Sequence, residues 1–148
     1  MKIQQLSLFV ENKPGRLSAA TRALAEADVN ILTLSLADTQ QFGILRLIVR
    51  DVERARKVLE DADHVVKVTE VVAIEVSDRP GGLAEILTVI DGAAVNIEYM
   101  YAFTTRMRQR AILVFRFDDP DAAIALMQSH DINVVAPVEL YKRVDERQ

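Results

Sequence analysis

A chain of 148 residues, half of them apolar and 27% charged, has the composition of a soluble globule and is long enough for one ordinary domain or two small ones. Its net charge of −4 argues against a general affinity for nucleic acid or an anionic membrane surface. The absence of cysteine removes disulfides, thiol chemistry and a zinc cluster, and fits a reducing, cytoplasmic compartment.

The opening, KIQQLSLFVE, alternates Leu6, Leu8 and Val10 with more polar neighbours and reads as a half-buried strand. It is too poor in apolar residues for a secretion signal, and no later stretch approaches a membrane span. ENKPGRL follows, with Pro14 expected as the first helical residue, where its missing N–H costs nothing. Leu17, Ala20, Thr21, Leu24 and Ala27 then recur at helical spacing. VNILTLSLAD and FGILRLIVRD are β-rich runs around the polar turn Thr39-Gln40-Gln41, a hairpin signal. Asp51 is placed to cap a second helix striped by Val52, Ala55, Val58, Leu59 and Ala62. HVVKVTEVV closes the half as a strand.

The chain then says nearly the same thing again. Pro14, Gly15, Leu17, Ala27, Val29, Asn30 and Ile31 fall on Pro80, Gly81, Leu83, Ala93, Val95, Asn96 and Ile97, all displaced by 66 residues. Seven identities in a gap-free window of 21 indicate a duplication. Val72, Ile74 and Val76 form the second opening strand, and Leu83, Ile86, Leu87 and Ile90 stripe its helix. VNIEYMYAF and QRAILVFRF form the hairpin, Asp119-Pro120 starts the next helix, and INVVAPVELY is expected to close the unit as a strand. Tyr99, Tyr101 and Phe103 stand where the first half has Thr33, Ser35 and Ala37, so either the sheet faces differ or a bulge shifts the parity.

Each half thus reads strand–helix–strand–strand–helix–strand. The expected fold is α+β, two ferredoxin-like βαββαβ repeats over residues 1–70 and 71–148, each an antiparallel sheet with its helices on one face. Units this small bury too little surface alone, so the halves are expected to share an apolar interface. HVVKVTEVVAIEVSD holds neither glycine nor proline. One strand serving both sheets, or strands exchanged between the halves, are both open.

The repeated phrase carries the chemistry. A strand ends, a polar turn follows, and a helix opens at Pro-Gly, presenting unpaired N–H groups and the positive end of the helix dipole to an anion. Gly15 and Gly81 let a ligand approach the backbone, while Asn12 and Asp78 are placed to accept from an ammonium. That pairing fits an α-amino acid head group. The bland alternative is that Asn12 and Asp78 simply cap the helices. Asn30 and Asn96 open strands, where asparagine is disfavoured.

N-K-P-G-R-L…V-N-I and D-R-P-G-G-L…V-N-I resemble the signature of ACT domains, over nearly the whole chain as two consecutive copies. The resemblance implies small ferredoxin-like regulatory modules that bind amino acids or similar ligands. It places a site at Asn12, Lys13, Pro14, Gly15, Arg16 and Leu17 with Asn30 and Ile31, and another at Asp78, Arg79, Pro80, Gly81, Gly82 and Leu83 with Asn96 and Ile97. It further implies that the loop of one module meets the strand of a partner. The two turns are not equivalent. An ionised Asp78 makes the second the stronger expected site, and Arg16, if it reaches for a carboxylate, would give the first an acidic preference and leave the second a neutral one.

Other chemistry has little support. His64 and His130 each lie near a helix end and read as capping or solvated residues. Arg106, Arg108 and Arg110 around Met107 read as a solvated hairpin tip rather than a phosphate contact, and QRAILVFRF lacks the base-stacking aromatics of RNA-recognition sheets. The sequence therefore reads as an amino-acid-binding regulatory protein, not an enzyme, with no cofactor or metal. Its partners are a free amino acid and a second copy in a homo-oligomer, with no nucleic acid or membrane. The rival reading is an interaction protein of the same fold without a ligand.

Overall fold

Leu6, Leu8 and Val10 point one way along β1 (Ile3–Glu11), as their alternation requires, and all three are buried. The fold was taken from a computed structural model that describes residues 1–38, 40–107 and 109–146, with residues 38 and 105–107 by backbone alone. Thr39 of the first hairpin turn and Arg108 lie outside the described residues, as do the side chains of Arg106 and Met107. The chain divides into two compact units, residues 4–69 and residues 1–3 with 70–148.

In the first unit, β1 is followed by α1 (Arg16–Glu26), β2 (Thr33–Asp38), β3 (Phe42–Ile48), α2 (Val52–Asp61) and the opening residues of β4 (Val66–Ser77). β3 pairs antiparallel with both β1 and β2, and β2 forms the edge. Leu6, Leu8, Leu45 and Leu47 make one core with Ala20 and Leu24 of α1 and Ala55 and Leu59 of α2. Asp51 caps α2 as the sequence requires, its carboxylate accepting the Arg54 amide at 3.0 Å.

In the second unit, the rest of β4 leads to α3 (Gly82–Asp91), β5 (Ile97–Met107), β6 (Arg110–Phe117), α4 (Pro120–Ser129) and β7 (Val134–Val135). The sheet order is β5-β6-β4-β7, all antiparallel. Phe115 and Phe117 stack at 5.5 Å in a core with Ile74, Ile86 and Met127. β4 runs unbroken through twelve residues, so one strand ends the first repeat and begins the second.

The register shift between Ile97 and Tyr99 leaves the parity unchanged: Tyr99 and Tyr101 pair with Arg116 and Val114 as Thr33 and Ser35 pair with Ile48 and Arg46, so it is the faces of the two sheets that differ. Beyond the shift Met100 and Ala102 pair with core-facing Phe115 and Leu113, while Tyr99 and Tyr101 lie on the other face. That face also buries Ala73, Phe103, Ile112 and Val114, which explains why it needs aromatics.

The end of the second repeat departs from expectation. INVVAPVELY supplies only two strand residues, and Pro137–Asp145 is a fifth helix, α5, rather than strand. Proline at its first turn is the physical reason: it cannot donate to a ladder, but its fixed φ suits a helix start. Leu140 of α5 is fully buried.

Three of the helices leave by the same device. Asp28, Asp63 and Asp131 adopt positive φ after α1, α2 and α4, and the next amide bonds back to the last turn, as Val29 does to Leu24 at 2.9 Å.

Candidate functional site

Both Pro-Gly turns fold by the same hydrogen bonds. In the first, the Asn12 amide extends the ladder to the Gln41 carbonyl at 3.0 Å, Arg16 bonds back to Lys13 at 3.3 Å, and Ala19 to Gly15 at 3.0 Å. In the second, Asp78 bonds to Gln109 at 2.7 Å, Gly82 to Arg79 at 3.0 Å, and Glu85 to Gly81 at 3.0 Å. Gly15 and Gly81 are the N-cap residues, at φ 85° and 88°, a region a side chain makes costly. Pro14 and Pro80 therefore lie in the turn and are not the first helical residues: a left-handed glycine must come between proline and helix. The N-cap residues are glycines, so neither helix is capped by the side chain of its own N-cap residue. The first-turn amides have no acceptor inside their own helices, as at any helix start.

The two turns differ in what surrounds them. A cavity of about 310 Å³ at the first is lined by Val10, Glu11, Asn12, Lys13, Leu17, Leu36 and Gly43. It combines an amide and three aliphatic side chains with a cation and a carboxylate, Lys13 and Glu11, 3.3 Å apart. Arg16 does not line the cavity, but its Nε lies 3.6 Å from the carboxylate of Glu11, which does. At the second turn a cavity of about 300 Å³ is lined by Ser77, Asp78, Arg79, Gln109 and Arg110, polar side chains throughout. Arg79 donates to Glu85 at 2.6 Å and to the Pro80 carbonyl at 3.2 Å. Gly82, the counterpart of Arg16, is buried, and a β-carbon there would collide with the Ser77 carbonyl.

Within each unit the structure does not bring the downstream asparagines to the turns. Glu11 pairs with Phe42 at one end of β3, while Thr33, three residues after Asn30, pairs with Ile48 at the other. The strand between spans about 20 Å at 3.3 Å per residue. Asn30 and Asn96 are exposed and precede their strands, and neither they nor Ile31 and Ile97 line the cavities at the turns. The Asn96 amide is held by the Asp118 carboxylate at 2.9 Å. His130 accepts or donates locally at its helix end, 3.0 Å from the Leu126 carbonyl, and His64 follows α2. No group of metal ligands occurs among the described residues, and no helix there is long and apolar enough to cross a membrane.

Sequence reasoning missed one cluster beside the second turn. Glu75, with only 11% of its side chain exposed, receives Arg110 Nε at 3.0 Å, Arg143 Nη1 at 2.9 Å and Asn133 Nδ2 at 2.9 Å. A carboxylate inside the apolar run VVAIEV was the available signal, since such a residue needs partners. Burial pushes its carboxyl up, but hydrogen bonds from Arg143 and Asn133 and the charges of Arg143 and Arg110 outweigh burial and leave it lowered. A lowered folded pKa gives stability that is present above the unfolded value of about 4.5 and lost as pH falls through the folded one. Urea denaturation below pH 4.5 is therefore expected to show a loss in the wild type that Glu75→Gln lacks. Parallel curves would remove Glu75 from the acid response.

Comparison with known proteins agrees with this architecture. Residues 1–144 match the family described as ACT domain pair. The structure of protein BT0572 from Bacteroides thetaiotaomicron is 39% identical, with a TM-score of 0.88 over 96% of this chain and 97% of that one. The regulatory subunit of aspartate kinase from Thermus thermophilus, in a ligand-free form, is 15% identical with a TM-score of 0.60, covering 85% and 91%. E. coli aspartokinase III in complex with lysine and aspartate is 14% identical with a TM-score of 0.53, covering 87% of this chain and 31% of that one. These last two share the fold. The search of curated proteins found no match.

Proposed function

The chain belongs to the ACT domain pair family, and from that premise we propose that it is a regulatory protein that binds free amino acids at its Pro-Gly turns. The observation that carries this reading is the repetition of one turn, bond for bond, with a cavity beside each copy. In each, the ligand carboxylate meets the first-turn amides of a helix, where the dipole contributes about 0.3–2 kcal/mol. Its ammonium meets the oxygen of Asn12 or Asp78. The aliphatic wall of Val10, Leu17 and Leu36 suits an apolar side chain at the first site, whose cavity Arg16 does not line. Asn30 and Asn96 enter a site through pairing with the edge of another module, which makes a homodimer part of the proposal. The setting is cytoplasmic.

A second reading has its own support. Leu34 and Leu36 on edge strand β2 are 48% and 49% exposed, an apolar edge that suits assembly without any ligand. A thermal-shift panel of the twenty amino acids separates the two. At about 100-fold over Kd a ligand stabilises by about 2.7 kcal/mol, which is several degrees here. Asp78→Asn is expected to weaken the response more than Asn12→Ala, since a charge-assisted bond is about twice as strong as a neutral one. No shift with any amino acid at millimolar concentration would favour the assembly reading.

A further inference from the structure

Arg110 belongs to two neighbourhoods. It lines the second cavity with Asp78, and its Nε lies 3.0 Å from Glu75 Oε1. The other oxygen of Glu75 is held by Arg143 of α5 at 2.9 Å, and Arg143 is fixed in turn by Glu139 at 2.7 Å. We propose that Arg110 selects the ligand of the second cavity and that Glu75 is its internal competitor. An acidic α-amino acid draws Arg110 from Glu75, and the C-terminal helix responds through Arg143. The proposal rests on the reading that the Asp78 turn holds an amino-acid head group.

The charges argue for that ligand class. Arg79 also lines the cavity, with its guanidinium shared between Glu85 at 2.6 Å and the Pro80 carbonyl at 3.2 Å. Arg110 uses Nε on Glu75, and a guanidinium has five N–H donors in a fork that suits a carboxylate. With the head group on the turn and Asp78, a second carboxylate on the ligand has Arg110 as its cation. The cation of the first cavity is Lys13, 3.3 Å from Glu11 and beside Leu17 and Leu36.

The exchange is also physically easy. Arg110 is the soft member, 54% exposed in its side chain, whereas Glu75 and Arg143 are 11% and 16% exposed. When Arg110 leaves, Glu75 keeps Arg143 and Asn133, so no buried carboxylate is stranded. One carboxylate no longer divided between two arginines holds the remaining one more firmly. Occupancy of the cavity thus tightens α5, and by linkage the grip on α5 feeds back on affinity.

Calorimetric titration of the full chain with L-aspartate, L-asparagine, L-glutamate and L-glutamine tests this. The wild type is expected to favour the acids over their amides by about tenfold, the worth of one charged hydrogen bond. Arg110→Gln is expected to erase that preference while binding of the amides persists. Glu75→Gln is expected to raise affinity for the acids, a gain that damage to the fold would not produce. Hydrogen exchange across residues 137–145 should slow with L-aspartate in the wild type and not in Glu75→Gln. If amino acids bind but Arg110→Gln keeps the acid preference, or Glu75→Gln lowers affinity for the acids, the inference falls and the functional reading stands. If the wild type binds none of the four and no other amino acid, both fall.

Discussion

Phe115→Ala is expected to cost about 4 kcal/mol, the range for emptying an aromatic site in a packed core. Phe115 is fully buried, stacks on Phe117 with ring planes 9° apart, and lies between β6's neighbours and the α3–α4 layer. Neither Phe117 nor the β-branched Val72 and Ile74 can follow a missing ring without leaving their own strands, so the cavity stays open. The chain offers a selective reporter. It has no tryptophan, and its three tyrosines, Tyr99, Tyr101 and Tyr141, all lie within residues 70–148. The urea midpoint of the tyrosine fluorescence transition is expected to fall below that of the wild type. A tyrosine transition at the wild-type midpoint would show that this core does not hold its unit together.

Gly82→Ala is expected to cost about 3 kcal/mol, the upper part of the range for overpacking. The obstacle is the Ser77 carbonyl, which is main chain and cannot rotate aside. The β4–α3 turn must then open, and the cavity bounded by Ser77 and Asp78 opens with it. Gly15→Ala is the matched control. It meets nothing within 4 Å, so its cost is that of a left-handed alanine, about 1–2 kcal/mol. Chemical denaturation of the two variants checks the order. Gly82 has no positive φ, so a Gly82→Ala variant no less stable than the wild type would show that the turn relieves the contact with Ser77 at little cost.

The repeat made most of the fold legible, because a duplicated pattern tests each element twice. Strand parity in β1 and β4, the helix stripes and the Asp51 and Asp119 caps all follow from local spacing. The misses have physical causes. Pro14 and Pro80 satisfy a first-turn preference, but a positive φ at the next glycine overrules it, and φ is invisible in composition. INVVAPVELY is apolar enough for a strand, and only the proline's missing donor marks the change to α5. In the site, the turns were readable from Pro-Gly alone, and the cavities lie beside them. The Glu75 cluster was not, because Asn133 and Arg143 approach it from 58 and 68 residues away in sequence.

Asp28, Asp63 and Asp131 carry a last consequence. Each sits where glycine or asparagine is the usual occupant, and each puts a negative charge at the negative pole of a helix whose last turn has no basic residue. Three helices therefore end on a residue that is tolerated rather than favoured, at exposed positions remote from both Pro-Gly turns in sequence. The chain holds thermal headroom there: single replacements at Asp28 and Asp131 are expected to raise its melting temperature, whereas Asp63 shares a cavity with Glu11 and Arg16 of the first turn. Its present stability is a resting point of mutation and selection, not a limit set by the fold.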